Sequence, residues 1–92
     1  MSNVDTVLNE RGSRYGKFVD VAAATQAIQH ALYDQFATDK LRDLPSDMGV
    51  ALDMICHKLA RIAVGDENYV DNWVDIAGYS KLVADRLEGI ER

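Results

Sequence analysis

The sequence predicts an all-α fold, a short N-terminal helix followed by three longer helices with antiparallel neighbours, assembling as a symmetric oligomer. Three observations predict it. Apolar residues recur at three- and four-residue steps along most of the chain, strand-like alternation is nearly absent, and proline occurs once, at Pro45. Ninety-two residues form one domain, spanning 1–92. A chain of this size hides only roughly 60–65% of the surface its unfolded form exposes, so its private core is thin. Yet 48% of the residues are hydrophobic, and a single cysteine rules out an internal disulfide. Surplus apolar content without a covalent staple points to burial between subunits.

The first helix is short. Val4, Val7 and Leu8 fall on one side, Ser2 or Asn3 is available as a cap, and Gly12 is the expected stop. Gly12-Ser13-Arg14-Tyr15-Gly16 then reads as a turn, because two glycines so close together break regular structure. The second helix runs from about Phe18 to about Phe36, with a stripe of Phe18, Val21, Ala22, Thr25, Ile28, Leu32 and Phe36. A polar connector, Thr38 to Asp43, leads to Leu44-Pro45-Ser46. Ser46 is a good N-cap for the third helix, whose stripe is Leu52, Ile55, Leu59 and Ile62, widened by Ala51 and Ala63. Gly65 is the expected stop. Asp66, Asn68 or Asp71 caps the fourth helix, which continues to Leu87 or Ile90 along Trp73, Ile76, Ser80, Val83, Leu87 and Ile90. Ala77 and Gly78 permit close backbone approach there.

Composition bounds the function. The amino terminus has no apolar run of signal-peptide type, and no apolar stretch reaches roughly 18 residues, so a cytoplasmic protein with no membrane partner is expected. Cys56, alone in a helical pattern, suits a buried thiol in a reducing compartment. The net charge is −5, with 15 acids against 10 bases. Long nucleic acids are held largely through phosphate neutralisation, so an acidic chain is a poor partner for them. Arg11, Arg14 and Lys17 nonetheless fall within seven residues with no acid between them. A local cationic island in an acidic protein suits a small anionic ligand.

The segment Glu10-Arg11-Gly12-Ser13-Arg14-Tyr15-Gly16-Lys17 holds the residue types such a ligand needs. Glycine lets backbone approach closely, arginine forks onto phosphate oxygens, and a tyrosine ring stacks on a base. The plainer alternative is that Arg14 and Lys17 are solvated and Tyr15 pins the loop to the core. A second set is acidic: Asp71 and Asp75 lie four apart on the fourth helix, with Asp53 on the helix before. Three converging carboxylates hold Mg²⁺ in all-α nucleotide pyrophosphatases of the MazG type, but only half of that family's paired-acid pattern is present, since Asn72 stands three before Asp75. The plainer alternative is that Asp75 pairs with Arg61 or Lys58. His57 is one turn after Asp53 and reads as its surface partner; no histidine or cysteine spacing suggests a zinc site, and no cofactor is expected.

Three blocks in order carry a resemblance: Glu10-Arg11-Gly12-x-x-Tyr15-Gly16-x-Phe18; Ala51-Leu52-x-Met54-Ile55-x-His57-Lys58-x-x-Arg61-Ile62; and Gly65-Asp66-x-x-Tyr69-x-Asp71-x-Trp73-x-Asp75-Ile76-Ala77-Gly78-Tyr79. Over about residues 8 to 88 the chain resembles a family of small phage proteins, with a T-even phage member, whose best-understood representatives are anti-CBASS cyclic-nucleotide sponges. The resemblance implies an all-helical hexamer that binds cyclic dinucleotides between protomers, and cyclic trinucleotides at a separate site in some members. Binding without cleavage keeps the host's CBASS effector silent. It implies that Tyr15 stacks on a base beside Gly16, with Arg14 and Lys17 lending charge. The family's ligand-contacting lysine on the second helix falls here at Gln29, with His30 next to it, which is a departure that puts dinucleotide binding in doubt. Arg61, with Thr25, corresponds to the trinucleotide site. A MazG-like pyrophosphatase is the alternative function.

Overall fold

The structure is a computed structural model that describes residues 3–35 and 38–92. Phe36 and Ser2, assigned above to the second helix and to a cap, lie outside the described residues. Among the described residues five helices follow one another: α1 Asn3–Tyr15, α2 Phe18–Gln35, α3 Thr38–Arg42, α4 Ser46–Val64 and α5 Val70–Leu87. No strand occurs among the described residues, so the all-α class holds.

Two expectations about elements are corrected. The first helix does not stop at Gly12; it continues to Tyr15, and only Gly16 and Lys17 separate it from α2. An interior glycine costs a helix about 1 kcal/mol relative to alanine, which does not outweigh continued backbone pairing. The Gly16 amide donates to the Gly12 carbonyl at 3.1 Å, and the stop comes at Gly16 itself, where φ is +83°. The connector after α2 is likewise partly helical, forming α3, and the Asp43 amide donates to the Asp39 carbonyl at 2.9 Å.

Helix α4 is the central element and packs against both α2 and α5. Its contacts run in opposite order to theirs. Asp47 near its start meets Arg86 near the end of α5, while Lys58 farther along meets Asp75 nearer the start of α5. On the other side, Phe18 and Val21 near the start of α2 share a cleft with His57 and Arg61 in the later part of α4, while Gln29 and Tyr33 farther along α2 donate to Asp53 nearer its start. The neighbours of α4 are therefore antiparallel to it. A helix sandwiched in this way buries small residues where the backbones come closest. The buried apolar side chains among the described residues are Val21, Ala51, Cys56 and Ala60, none of them large.

The expected stripes shift accordingly. Leu59 and Ala63 are exposed, and Lys58, named above as a possible partner of Asp75, is buried with its ammonium 2.8 Å from the Asp75 carboxylate. On α5 the expected Trp73, Leu87 and Ile90 are exposed, whereas Asn72 and Asp85 are buried. Asp85 stays charged in that setting because Lys81 and Arg92 both bond it, and together they hold its carboxyl below the usual range. No side-chain cap bond forms at Ser46, where Pro45 takes the N-cap position of α4, nor at Tyr69, the N-cap of α5. The C-terminus of α5 closes by a Schellman pattern, with the Ile90 amide bonded to the Asp85 carbonyl and the Gly89 amide to the Arg86 carbonyl. No helix is long and apolar enough to cross a membrane among the described residues.

Candidate functional site

The α1–α2 turn docks, backbone to backbone, on the turn between α4 and α5. The Asp66 amide donates to the Arg14 carbonyl at 2.8 Å. A Cβ at Gly65 would collide with the Tyr15 backbone and the Arg14 carbonyl, and a Cβ at Gly16 would lie 2.7 Å from a Val64 methyl. Gly16 is thus needed for this docking and for its positive φ, a structural role for a residue singled out above as ligand-approaching.

Docking lays Tyr15 over α4. The Arg61 guanidinium sits 4.1 Å from the centre of the Tyr15 ring, a close cation–π contact. Tyr69 meets the same ring edge-on, with centroids 5.5 Å apart, and carries Arg14 over its own ring at 5.0 Å. A hydrogen bond to Asp71, then the Tyr15 hydroxyl and burial, push the Tyr69 phenol up to about 12, so Tyr69 stays neutral at any ordinary pH. Tyr15 does pin the turn to the core, as the plainer alternative expected.

Beside this cluster opens a cleft of about 560 Å³. Leu8, Phe18 and Val21 supply apolar wall; Arg11, Lys17, Arg61 and His57 supply the polar part, and no carboxylate lines it among the described residues. In a chain of net charge −5 this is a marked segregation of charge. Burial, then the charges of Arg61 and Lys58, pull the His57 imidazole below its ordinary 6.5, so an empty cleft holds it neutral at pH 7. Guanidinium groups, an ammonium and an imidazole around an apolar floor can bind a phosphate-bearing ligand with a flat, apolar part.

Of the residues expected to bind ligand, Tyr15, Gly16, Lys17 and Arg61 come together in this cleft. Arg14 faces a neighbouring polar recess with Glu10, Arg11, Tyr15 and Tyr69, and lies 3.9 Å from Asp66. Gln29, His30 and Thr25 do not line the cleft. The Gln29 amide donates weakly to Asp53 at 3.4 Å, the Thr25 hydroxyl donates to the Val21 carbonyl at 2.7 Å, and His30 is exposed. Sequence reasoning missed His57 and the place of Arg11 in the wall. The available signals were the four-residue step from His57 to Arg61 on α4 and the Leu8, Arg11, Tyr15 face, which exists only if α1 continues through Gly12.

The acids go elsewhere. Asp53 faces Gln29 and Tyr33 of α2, rather than His57, and Asp75 is taken by Lys58. No three His, Cys, Asp or Glu side chains gather to hold a metal ion among the described residues.

Residues 2–87 match the family described as a domain of unknown function, DUF6378. The chain belongs to that family. No curated protein and no solved structure matches the chain.

Proposed function

We propose that this DUF6378 protein is a non-catalytic binding protein that captures cyclic di- or trinucleotides and withholds them from a signalling effector. In a phage-infected cell it would thereby silence a CBASS-type defence. The observation that carries the reading is the cleft lined by Arg11, Lys17, Arg61 and His57 with no carboxylate, set beside Tyr15 in an otherwise acidic chain. A cyclic oligonucleotide presents one negative charge per phosphodiester and flat bases, which match forked cations and an apolar, aromatic wall.

Arg61 covers one face of Tyr15, so the tyrosine is not a bare stacking platform. A base that displaces the guanidinium frees it to take a phosphate; a base on the opposite face leaves the pair intact. The place of the family lysine, Gln29, does not line this cleft, so the charge comes from α1, the α1–α2 turn and α4 instead. Self-association, hexameric by the resemblance, belongs to the same reading and would multiply the cationic clefts by symmetry.

Isothermal titration with 3′,3′-cyclic GMP–AMP and with a cyclic triadenylate tests it, followed by heating and chromatography of the released ligand. Micromolar or tighter binding with intact recovery supports capture without turnover. Cleaved ligand, or no binding of either compound at micromolar concentration, overturns it.

A further inference from the structure

Two aromatic rings line the cationic cleft among the described residues, Tyr15 and Phe18, and they are differently placed. Tyr15 is half-buried, with the Arg61 guanidinium 4.1 Å from its ring centre and the Tyr69 ring edge-on against it. The Tyr69 phenol also bonds its hydroxyl. A base that stacks on the Arg61 side of this ring must first displace a charged group. Phe18, expected to head the buried stripe of α2, is instead 81% exposed at the first position of that helix. Three residues on, Val21 is buried and lines the same cleft, so this face of α2 turns toward it. Leu8 of α1 lines the cleft too and is likewise exposed.

An apolar ring held in water beside Arg11, Lys17 and Arg61 leaves unrealised the free energy that covering it would release. A flat ligand group covers it without disturbing the contact between Arg61 and Tyr15.

We propose that Phe18, rather than Tyr15, is the surface on which a ligand base stacks, and that the cleft takes this base by its flat face and not by its edge. Given the cyclic-nucleotide capture proposed above, on which this rests, Arg11, Lys17 and Arg61 hold the phosphates while Phe18 holds the base. The side chains of Leu8, Phe18 and Val21 carry no hydrogen-bonding group. Nothing in the apolar wall therefore reads the donor and acceptor pattern that separates adenine from guanine. Every base has a π-face, and a purine offers more of it than a pyrimidine. The ligand class is a cyclic oligonucleotide with at least one purine, adenine and guanine being accepted alike.

Titration calorimetry of the full chain with 3′,3′-cyclic GMP–AMP and, separately, with pyrophosphate is the test. Phe18→Ala is expected to lower affinity for the cyclic dinucleotide by about 5- to 150-fold, the range for one base–aromatic stack. Pyrophosphate, which has charge and no base, is expected to bind that variant as it binds the native protein. Phe18→Trp keeps a ring and should keep the affinity, with its indole fluorescence quenched on binding beyond any change from Trp73, which does not line the cleft. Phe18→Leu keeps apolar volume without a ring and should behave like the alanine variant. Far-UV circular dichroism should be unchanged in all three, since the side chain is exposed. The native protein should bind cyclic diadenylate and cyclic diguanylate within about threefold of each other, and cyclic diuridylate more weakly. A native protein that binds no cyclic dinucleotide overturns the capture reading and the role of Phe18 together. Native binding with an unaffected Phe18→Ala variant overturns the role of Phe18 alone. So does an equal loss of pyrophosphate affinity in that variant, or a preference above about tenfold between the adenine and guanine ligands.

Discussion

Arg61 and His57 sit one turn apart on α4 and face one cleft, yet they serve it in different ways. The Arg61 guanidinium is held over Tyr15. Arg61→Ala is expected to weaken cyclic-nucleotide binding by about 10–100-fold, the range for losing a hydrogen bond to a charged group. Arg61→Lys recovers only part of that, because an ammonium neither forks nor stacks; titration calorimetry of the two variants separates charge from geometry. His57 is held neutral by burial and by Arg61 and Lys58, so its protonation is opposed in the folded state. The ligand-free protein therefore keeps the associated stability above pH 6.5, the ordinary histidine value, and loses it as pH falls through and below that value. A phosphate in the cleft reverses the local field and raises the imidazole pKa. Affinity should then rise as pH is lowered from 7.5 to 5.5, and the rise should vanish in His57→Gln. An NMR titration of the His57 ring with and without pyrophosphate measures the shift directly; an unmoved pKa would place the anion elsewhere.

Helices α4 and α5 are joined along their length by charge as well as packing. Asp47 and Arg86 form a two-pronged pair at one end, with contacts of 2.5 and 2.9 Å, and Lys58 and Asp75 form a second farther along. Breaking the second pair from the exposed side leaves a buried ammonium without its partner. Asp75→Asn is expected to destabilise the protein by about 2–4 kcal/mol, whereas Lys58→Met, which removes the buried charge and keeps the volume, is expected to cost under about 1 kcal/mol. Urea unfolding with equal m-values would establish both. Asn72, fully buried with no partner for its side-chain amide among the described residues, works against the same interface. Asn72→Leu should stabilise by about 1–2 kcal/mol.

The elements were largely legible in the sequence because periodicity reports any helix with one buried face, and α2, α4 and α5 each have one. What periodicity does not report is which of two apolar faces a neighbour takes. Leu59 and Trp73 were assigned to the interior on their size, but the close contacts are made at Ala51, Cys56 and Ala60, where small side chains let backbones approach. Gly12 misled for a different reason. Glycine predicts a stop from local energetics alone, and the docking of α1 through Tyr15, Gly16 and Gly65 is a tertiary contact between segments fifty residues apart. The cleft was half legible. Tyr15, Lys17 and Arg61 were singled out from residue type and resemblance, while His57 was set beside Asp53, which in fact turns to α2.

At the scale of the whole molecule the chain is extended for its length. Its radius of gyration is 15.2 Å, against roughly 12 Å for a compact domain of this size. Helix α1 contributes to this: it has no buried residue, and its Val4, Val7 and Leu8 are all exposed. Isolated helices of fewer than about 12–15 residues are marginal in water, so a 13-residue helix held mainly at its C-terminal turn draws little stability from the rest of its own chain. Stability should accordingly be shared between folding and association. The expected signature is a melting temperature that climbs as protein concentration is raised from 1 to 100 μM, because mass action favours the state that buries the shared surface. A ligand that binds the folded state adds about 2.7 kcal/mol when present at a hundred times its dissociation constant. Scanning calorimetry separates the two contributions: Arg61→Ala should keep the dependence on protein concentration and lose the stabilisation by ligand. Loss of both effects in that variant would mean that the cleft is completed by a second copy of the chain rather than by α1 and α4 of one protomer.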